Sequence, residues 1–267
     1  MRKPCLKLVI NCGPCEEYIA ACLVSVRAQT YANWRACVTI DPCGDRTSEA
    51  ARNASDGDVR IEITQNRRRL YAMQNLINGI RRSRAEADDV IVVLDGDDWL
   101  ASEHALGIIA STYERYDCWA TYGSWLSNDP SHSGMPRGLW PAYDPDTTDF
   151  RHTEWLGTAV RTWKAWLWNL IDNRDLRDAS GDYFRVTEDQ ASMLPILEMC
   201  GTARARHIED VLMIYNRTTP HACGKLRYQE MLANCAYLRG RRPYSLLHDR
   251  RSRPEINSAD SRVAASR

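Results

Sequence analysis

An acidic cluster, Asp95-Gly96-Asp97-Asp98, places three carboxylates within four residues. Carboxylates at this spacing repel one another, and keeping them ionised is costly unless a cation joins them. Their hard oxygen ligands select Mg²⁺ or Mn²⁺, and both ions also bind the phosphates of a substrate. Gly96 would let another part of the chain approach the backbone closely. The cluster therefore predicts a divalent-metal site for a phosphate-bearing substrate, although the same motif also occurs on surface loops and at helix N-caps.

A second acidic pair, Glu188-Asp189, lies in a separate segment of the chain. A carboxylate supplied from outside the metal cluster could take the proton from an attacking hydroxyl group as a general base. The alternative is that both side chains belong to the charged first turn of the helix that follows, where the helix dipole favours acidic residues. The sequence alone leaves both interpretations open.

The tetrad Cys12-Gly13-Pro14-Cys15 has the sequence of the thioredoxin active site and lies between a predicted strand and a helix start. In that setting the pKa of a thiol is lowered and disulfide exchange is favoured. Against this function, the tetrad follows the first strand, which leaves no room for the preceding strand and helix of thioredoxins. A structural zinc site is a further alternative, but no second Cys-x-x-Cys completes four ligands. The remaining interpretation is a pair of small thiols that line a tight loop.

The elements of the first half must position these residues. β-Branched and aliphatic residues run without interruption over 90–94 and lead directly into Asp95. Alternating strands and helices favour a largely parallel sheet with helices on both faces, and such sheets bind ligands beyond the carboxyl ends of their strands. Asn11, Asp41 and Asp95 each follow such an end, so three segments are directed to one crevice. Strands are predicted over 6–10, 36–40, 61–63 and 90–94, and helices from Pro14 onward and over 70–82.

The second half is predicted to begin with a long loop over 128–150, rich in Pro, Gly, Ser, Asp and His. Residues 160–171 carry Trp163, Trp166 and Trp168 and are predicted to form a helix that packs these rings in the core. Further helices are predicted over 183–200 and 226–238, and a strand over 212–215. Beyond residue 249 the sequence is polar and rich in Arg and Ser, which indicates a frayed tail.

The composition bounds the class of protein. The 267 residues have a formal net charge of +0, so no overall field draws the chain to nucleic acid or to an acidic membrane. Local basic patches at 67–69 and 239–253 are most simply solvated surface. No apolar run reaches the roughly 18 residues of a membrane span, and no signal peptide is recognisable. We therefore expect a cytoplasmic protein whose ten cysteines are reduced.

The run Val92-Val93-Leu94-Asp95-Gly96-Asp97-Asp98-Trp99-Leu100 resembles the donor motif of family 2 glycosyltransferases, and Ser25-Val26-Arg27-Ala28-Gln29-Thr30-Tyr31 resembles another motif of that family. The resemblance implies the α/β GT-A fold, a Rossmann-like and mostly parallel sheet with helices on both faces. It also implies a GT-A domain over 1–225, divided into a nucleotide-sugar half (1–115) and an acceptor half (116–225). A C-terminal helical extension (226–249) and a flexible tail (250–267) would follow.

The resemblance also implies roles for individual residues. Asp97 matches the direct metal ligand and Asp95 matches the residue near the ribose and the metal, and His221 would be a further metal ligand. Asp189, within the segment 186–190, matches the catalytic base, with Glu188 beside it. Among the expected donor-binding residues, Asp41 would hold the nucleotide base and Arg69 would lie near the diphosphate. The full donor-binding set is Asn11, Cys12, Gly13, Asp41, Arg69, Asp95 and Gly96.

The implied activity is the inverting transfer of a sugar from a nucleotide diphosphate, expected to be a UDP-sugar, to an acceptor hydroxyl, with Mn²⁺ or Mg²⁺ as cofactor. Residues 181–184, 190–199 and 215–220 further resemble a subgroup found in bacteriophages. That subgroup implies 5-hydroxymethylcytosine in DNA as an acceptor and the host cytoplasm as the location. Glycan or lipid-linked acceptors are the alternative. Non-catalytic binding of sugar nucleotides, nucleotidyl transfer and thiol exchange through Cys12 and Cys15 remain open as other functions.

Overall fold

Eight strands form one sheet in the computed structural model, which describes residues 3–129, 141–221 and 223–252. The strands are β1 (Leu6–Cys12), β2 (Trp34–Ile40), β3 (Ile61–Gln65), β4 (Val90–Asp95), β5 (Trp99–Leu100), β6 (Ala120–Ser127), β7 (Arg161–Lys164) and β8 (Ala205–Tyr215). The helices are α1 (Ile19–Arg27), α2 (Thr47–Ser55), α3 (Tyr71–Ser83), α4 (Ala105–Arg115), α5 (Ala165–Trp168), α6 (Glu188–Arg204), α7 (Cys223–Leu226) and α8 (Tyr228–Arg239). The strand order is β3-β2-β1-β4-β7-β6-β8-β5.

Strands β1 to β4 run parallel to one another, as their pattern predicts. Uninterrupted aliphatic runs are typical of strands that are covered on both faces, and all of β1 is buried. The register pairs Asn11 with Thr39 on β2 and with Asp95 on β4. The carboxyl ends of these strands therefore meet at one edge of the sheet.

Alternate residues of β1 pack into two separate cores. Leu8 and Ile10 belong to one core, together with the buried faces of α1, α2 and α4. Val9 belongs to the other core, together with buried residues of α3 and α6. Helix α3 lies directly on β1, because a Cβ added to Gly79 would be 2.3 Å from Cγ1 of Val9. Helices thus cover both faces of the sheet, and Asn11 lies on the same face as Val9.

The segment 160–171 is not the single helix that its sequence predicts. Arg161–Lys164 forms β7, which runs antiparallel between β4 and β6, and only Ala165–Trp168 is helical. Pairing on both sides satisfies the backbone of β7 while its central Trp163 is wholly buried, and this tertiary context overrides the helical spacing. The prediction that the tryptophans are core residues is confirmed, since Trp163 stacks on Trp168 with ring centroids 5.8 Å apart.

The other elements of the second half match their predictions in type but not in their bounds. Helix α6 begins at Glu188, later than predicted, and β8 begins at Ala205, earlier than predicted. Residues 130–140 of the predicted loop and the tail from residue 253 lie outside the described residues. Among the helices that the structure describes, none combines the length and the apolar character needed to cross a membrane.

The C-terminal helix α8 is anchored to the second core. Leu238 and Leu247 are buried in it, and Arg151 joins the helix to α6. The guanidinium of Arg151 donates hydrogen bonds to both carboxylate oxygens of Glu198, at 2.5 and 2.9 Å. It also donates one to the carbonyl oxygen of Leu238, at 2.6 Å. Residues 226–249 therefore share a core with the sheet.

Candidate active site

The strand ends that the sequence predicts to meet lie together at the edge formed by β2, β1 and β4. The backbone N–H of Gly96 donates to the carbonyl of Asn11 at 2.8 Å, and that of Asp41 donates to the carbonyl of Cys12 at 2.9 Å. These bonds extend the pairing with β1 past the ends of β4 and β2. The sequence-predicted residues Asn11, Asp41, Asp95 and Gly96 are therefore brought together, with the exposed Gly13 at the outer side of the loop.

Asn11 has the strongest requirement for a ligand among these residues. The residue is 8% exposed, and in the part of the chain that the structure describes neither its amide nitrogen nor its amide oxygen has a hydrogen-bond partner. The buried hydroxyl of the neighbouring Thr39 likewise has no partner among the described residues. Leaving a buried polar group unpaired costs about 1–3 kcal/mol. A bound molecule with donors and acceptors, such as a nucleotide, would satisfy these groups.

Asp41 is engaged by its own chain. Its carboxylate accepts hydrogen bonds from the backbone N–H of Leu70 and of Tyr71, each at 2.9 Å, and from the side-chain amide of Asn66, also at 2.9 Å. The carboxylate thereby fixes the loop that leads into α3. Contact between Asp41 and a nucleotide base stays a prediction. Arg69, on the same loop, is exposed, and its guanidinium lies 4.7 Å from the ring centroid of Tyr71.

The acidic cluster consists of three carboxylates in different settings. Asp98 is buried and accepts a hydrogen bond from the backbone N–H of Asn216 at 2.8 Å, so it joins the cluster to the end of β8. The side-chain carboxylates of Asp95 and Asp97 accept no hydrogen bond from any other residue that the structure describes. Burial raises the pKa of Asp95 to about 6, against the attraction of Arg161, and burial also raises that of Asp97. The two carboxylates fit a hard divalent cation, which would offset the cost of their burial.

His221 is not assembled with these carboxylates into a closed metal site. Its side chain is exposed, and its backbone N–H donates to the hydroxyl of Thr219 at 3.3 Å. Within residues 3–129, 141–221 and 223–252, no group of three or more His, Cys, Asp or Glu side chains could hold a metal ion. Ligation by His221 stays a prediction.

Arg161 is a site residue that the sequence analysis missed. It pairs with Val93 across the antiparallel β7 and β4, so its side chain lies on the same face as Asp95, two residues further along β4. It is 5% exposed, and its guanidinium lies 3.4 Å from the carboxylate of Glu188. Its charge also attracts Asp95 and Asp189. In the sequence, Arg161 could have been noticed as a charged residue between Val160 and Trp163, in a segment whose tryptophans predict burial in the core.

The second acidic pair reaches this site from the start of α6. Burial raises the pKa of Glu188 to about 7, although the guanidinium of Arg161 opposes this shift. The negative charges of Asp189 and Asp95 raise it further. Asp189 is half-buried. The carboxylates from the two halves of the chain therefore share one electrostatic environment, with one buried guanidinium among them.

The thiols of Cys12 and Cys15 are buried below the acidic cluster. A Cβ added to Gly96 would lie 2.4 Å from Sγ of Cys12 and 3.2 Å from Sγ of Cys15. A hydrogen bond with Cys15, together with burial, raises the pKa of the Cys12 thiol well above its usual value. Reactive thiols have lowered pKa values and are accessible. The burial of both thiols counts against the thioredoxin-like function and fits small thiols that let Gly96 pass closely.

Comparison with known proteins identifies the family. The chain matches the family described as "Glycosyl transferase family 2" over residues 8–175. It belongs to that family. It is similar to the "Putative glycosyltransferase EpsH" of Bacillus subtilis (strain 168), with 27% identity over 118 residues. That match covers 44% of this chain and 33% of the relative.

Similar solved structures confirm the predicted GT-A fold of this family 2 member. S. aureus TarS 1-349 in complex with UDP-GlcNAc has a TM-score of 0.60 at 13% identity, covering 81% of this chain and 59% of the TarS 1-349 chain. The mannosyltransferase PcManGT from Pyrobaculum calidifontis, in complex with GDP-Man and Mn²⁺, has a TM-score of 0.59 at 15% identity, covering 91% and 66%. Glucosyl-3-phosphoglycerate synthase from Mycobacterium tuberculosis has a TM-score of 0.58 at 10% identity, covering 89% and 79%.

Proposed function

We propose that this protein is an inverting, metal-dependent glycosyltransferase that moves a sugar from a UDP-sugar to an acceptor hydroxyl. The observation that carries the proposal is the convergence of Asp95, Arg161 and the Glu188-Asp189 pair on one face of the sheet. Membership of glycosyl transferase family 2 supports it. So do the nucleotide sugars bound by TarS and PcManGT, which share the fold.

The donor binds at the edge of β1, β2 and β4. Asn11 offers a buried amide with both polar atoms unpartnered, and this amide pairs with the base or the ribose. The backbone of Gly13 lies at the exposed side of the loop. Asp41 maintains the shape of this end of the crevice by fixing the loop before α3.

Asp97 and Asp95 hold the divalent cation. Their carboxylates are free of hydrogen bonds from other described residues and are costly to keep ionised when buried. Mn²⁺ is present with nucleotide in PcManGT and in the M. tuberculosis synthase. A cation bound here would neutralise charge on the departing diphosphate. His221 is the proposed additional ligand from the loop after β8.

Asp189 takes the proton from the acceptor hydroxyl. It comes from a different half of the chain than the metal-binding carboxylates, as an attack from the side opposite the leaving group requires. Arg161 lies among Asp95, Glu188 and Asp189, and its charge opposes the rise in the pKa of Asp95 and of Glu188 that burial causes. The ionised form of Asp189 is the one that can act as a base.

The proposed acceptor is 5-hydroxymethylcytosine in DNA, with a glycan as the alternative acceptor. Support for DNA comes from the resemblance of residues 181–184 and 215–220 to the bacteriophage subgroup and from the exposed side chains of Arg67, Arg68 and Arg69 near the crevice. Basic side chains of this kind bind phosphates without reading sequence.

The direct test is incubation of the protein with radiolabelled UDP-sugars, Mn²⁺ and either hydroxymethylcytosine DNA or a panel of glycans. We expect label in the acceptor and release of nucleoside diphosphate, with unmodified cytosine DNA as the matched control. Label in glycans alone would overturn the DNA acceptor and keep the glycosyltransferase. Release of pyrophosphate would instead indicate a nucleotidyltransferase.

A further inference from the structure

Three arginines from distant parts of the chain surround the ring of Tyr71 at the start of α3. The guanidinium carbon of Arg69 lies 4.7 Å from the ring centroid, that of Arg227 lies 4.8 Å away, and that of Arg185 lies 5.8 Å away. Arg227 also donates a hydrogen bond to the hydroxyl of Tyr71 at 3.0 Å. We call Arg69, Arg185 and Arg227 the Tyr71 arginine cluster.

The positive charge of this cluster is only partly neutralised. Glu230 accepts a hydrogen bond from Arg185 at 3.0 Å and one from Arg227 at 2.7 Å. Among the described residues, Arg69 has no carboxylate partner, and Arg185 uses only its Nε on Glu230. Glu230 is thus shared by two guanidinium groups, and Arg69 adds a third, which leaves a surplus of positive charge at Arg69. Like charges this close repel one another until an anion joins them.

The cluster borders both parts of the proposed active site. The backbone N–H of Tyr71 donates to Asp41 in the donor crevice at 2.9 Å. Two residues along α3, the N–H of Met73 donates to the carbonyl of Phe184 at 3.3 Å. Phe184 is followed directly by Arg185, and the same segment continues into Asp189 at the start of α6. An anion held by the cluster would therefore lie near the proposed base, where the acceptor must enter.

The chemistry of the cluster suits a phosphate group. Guanidinium groups bind phosphate oxygens through paired N–H donors. The side chain of Arg185 is 45% exposed, so an anion in solvent can reach it. The negative charge of the donor diphosphate would instead be met by the cation that Asp95 and Asp97 are proposed to hold and by Arg161. Arg185 lies in the half of the chain that is expected to bind the acceptor, and Arg227 lies in the segment before α8. Neither arginine belongs to the half that is expected to bind the donor.

From these observations we infer that the Tyr71 arginine cluster binds a phosphate group of the acceptor, so that the acceptor is a phosphate-bearing molecule. This inference rests on the proposed function, because it assigns the acceptor side of that same site. A neutral sugar hydroxyl acceptor would leave the surplus charge unmatched. A phosphate carried by the acceptor would instead hold its hydroxyl at a fixed distance from Asp189.

The test is a titration with inorganic phosphate of protein whose donor site is filled with UDP and Mg²⁺, followed by thermal melting and by ³¹P NMR. We expect saturable phosphate binding by the unmodified protein. The Arg185→Gln and Arg185→Gln/Arg227→Gln variants should bind phosphate about tenfold more weakly or worse. Arg81→Gln, an exposed arginine at the far end of α3, is the matched control and should bind phosphate as the unmodified protein does.

UDP affinity, measured by calorimetry on the same variants, distinguishes the two sources of phosphate. Unchanged UDP affinity in Arg185→Gln together with lost phosphate binding supports an acceptor phosphate. Lost UDP affinity would assign the cluster to the donor diphosphate and overturn the inference. Absence of saturable phosphate binding by the unmodified protein would also overturn it. Failure of the unmodified protein to bind UDP would count against the proposed function instead, because the phosphate titration can be repeated without UDP.

Discussion

The guanidinium of Arg161 lies 3.4 Å from the carboxylate of Glu188, in the buried space between β7 and the first turn of α6. This pair joins a strand that lies in the middle of the sheet to the segment that carries the proposed base. Because Asp95 and Asp189 lie in the same field, the single positive charge of Arg161 serves three carboxylates. The direction in which removal of Arg161 shifts the pKa values of its carboxylate partners can therefore be predicted.

Replacing Arg161 with Gln should lower turnover by about 100-fold, the range found when one buried electrostatic group is removed from an active site. Arg161 lowers the pKa of both Asp95 and Glu188, so its loss raises both values. The acid limb of the activity profile should then move to higher pH. The measurement is the rate of nucleoside diphosphate release between about pH 5 and about pH 9.

Two further variants separate charge from folding. Arg161→Lys keeps the charge and should retain the position of the acid limb, with a smaller loss of turnover. Arg204→Gln removes an arginine that contacts Asp117 at the surface and should change neither property. An unshifted acid limb in a folded Arg161→Gln protein would show that Arg161 has only a structural role.

Glu188→Gln should stabilise the protein at neutral and alkaline pH. The folded protein raises the pKa of Glu188 from 4.5 to about 7, so the protonated carboxyl is favoured on folding. The contribution of the protonated Glu188 to the free energy of unfolding is fully present below pH 4.5. It is lost as the pH rises through about 7. Gln cannot ionise, and Arg161 keeps Asp95 and Asp189 as partners. Urea denaturation should show an advantage on the order of 1–3 kcal/mol at pH 8 that disappears near pH 4; an equal difference at both values would contradict the shift.

Gly96→Ala should destabilise the protein by about 1–3 kcal/mol, as overpacking of a core does. The added Cβ would lie 2.4 Å from Sγ of Cys12, and the sulfur is held in a buried position. Cys12→Ala removes that sulfur, so the double variant should recover part of the loss. Chemical denaturation of the two single variants and the double variant measures the coupling directly.

Gly107→Ala is the matched control for this substitution. A Cβ at Gly107, in the first turn of α4, would meet nothing within 4 Å. Alanine is favoured over glycine in a helix by about 1 kcal/mol, so this variant should be more stable than the unmodified protein. Equal destabilisation by both substitutions would mean that contact with Cys12 is not the cause.

The strand ends of the first half could be predicted from sequence because their signals are local. The aliphatic run before Asp95 specifies a covered strand, and parallel pairing then brings Asn11 and Asp95 to one edge of the sheet. The acidic cluster and its proximity to Asn11 and Asp41 follow from that arrangement. The parallel part of the fold and the donor side of the candidate site can therefore be predicted from the local pattern of individual segments.

The Arg161 and Tyr71 environments could not be predicted in this way, because their partners are distant in sequence. Arg161 and Glu188 are separated by 27 residues, and Tyr71 and Arg227 by 156. The tryptophan spacing around Arg161 favours a helix, and only the β4 and β6 neighbours turn the segment into a strand. Because the sequence predicts a helix where β7 forms, it gives no reason to place Arg161 beside Asp95, and Arg161 is missing from the predicted site.

Asp189→Asn gives the clearest distinction between the two interpretations of the acidic pair. If Asp189 is the general base, the amide cannot accept the proton, and turnover should fall by about 10²–10⁴-fold. UDP affinity should be retained, because the proposed donor contacts lie at Asn11, Asp95 and Asp97. The measurements are single-turnover rates and calorimetry with UDP.

If Asp189 is only a charged residue in the first turn of α6, the same substitution should cost a few tenths of a kcal/mol in stability and leave turnover nearly unchanged. Asp182→Asn changes an exposed aspartate in the loop before α6 and is the control for a general loss of negative charge. A large loss of turnover in Asp189→Asn, with normal stability and normal turnover in Asp182→Asn, is therefore accounted for by proton transfer and not by the helix.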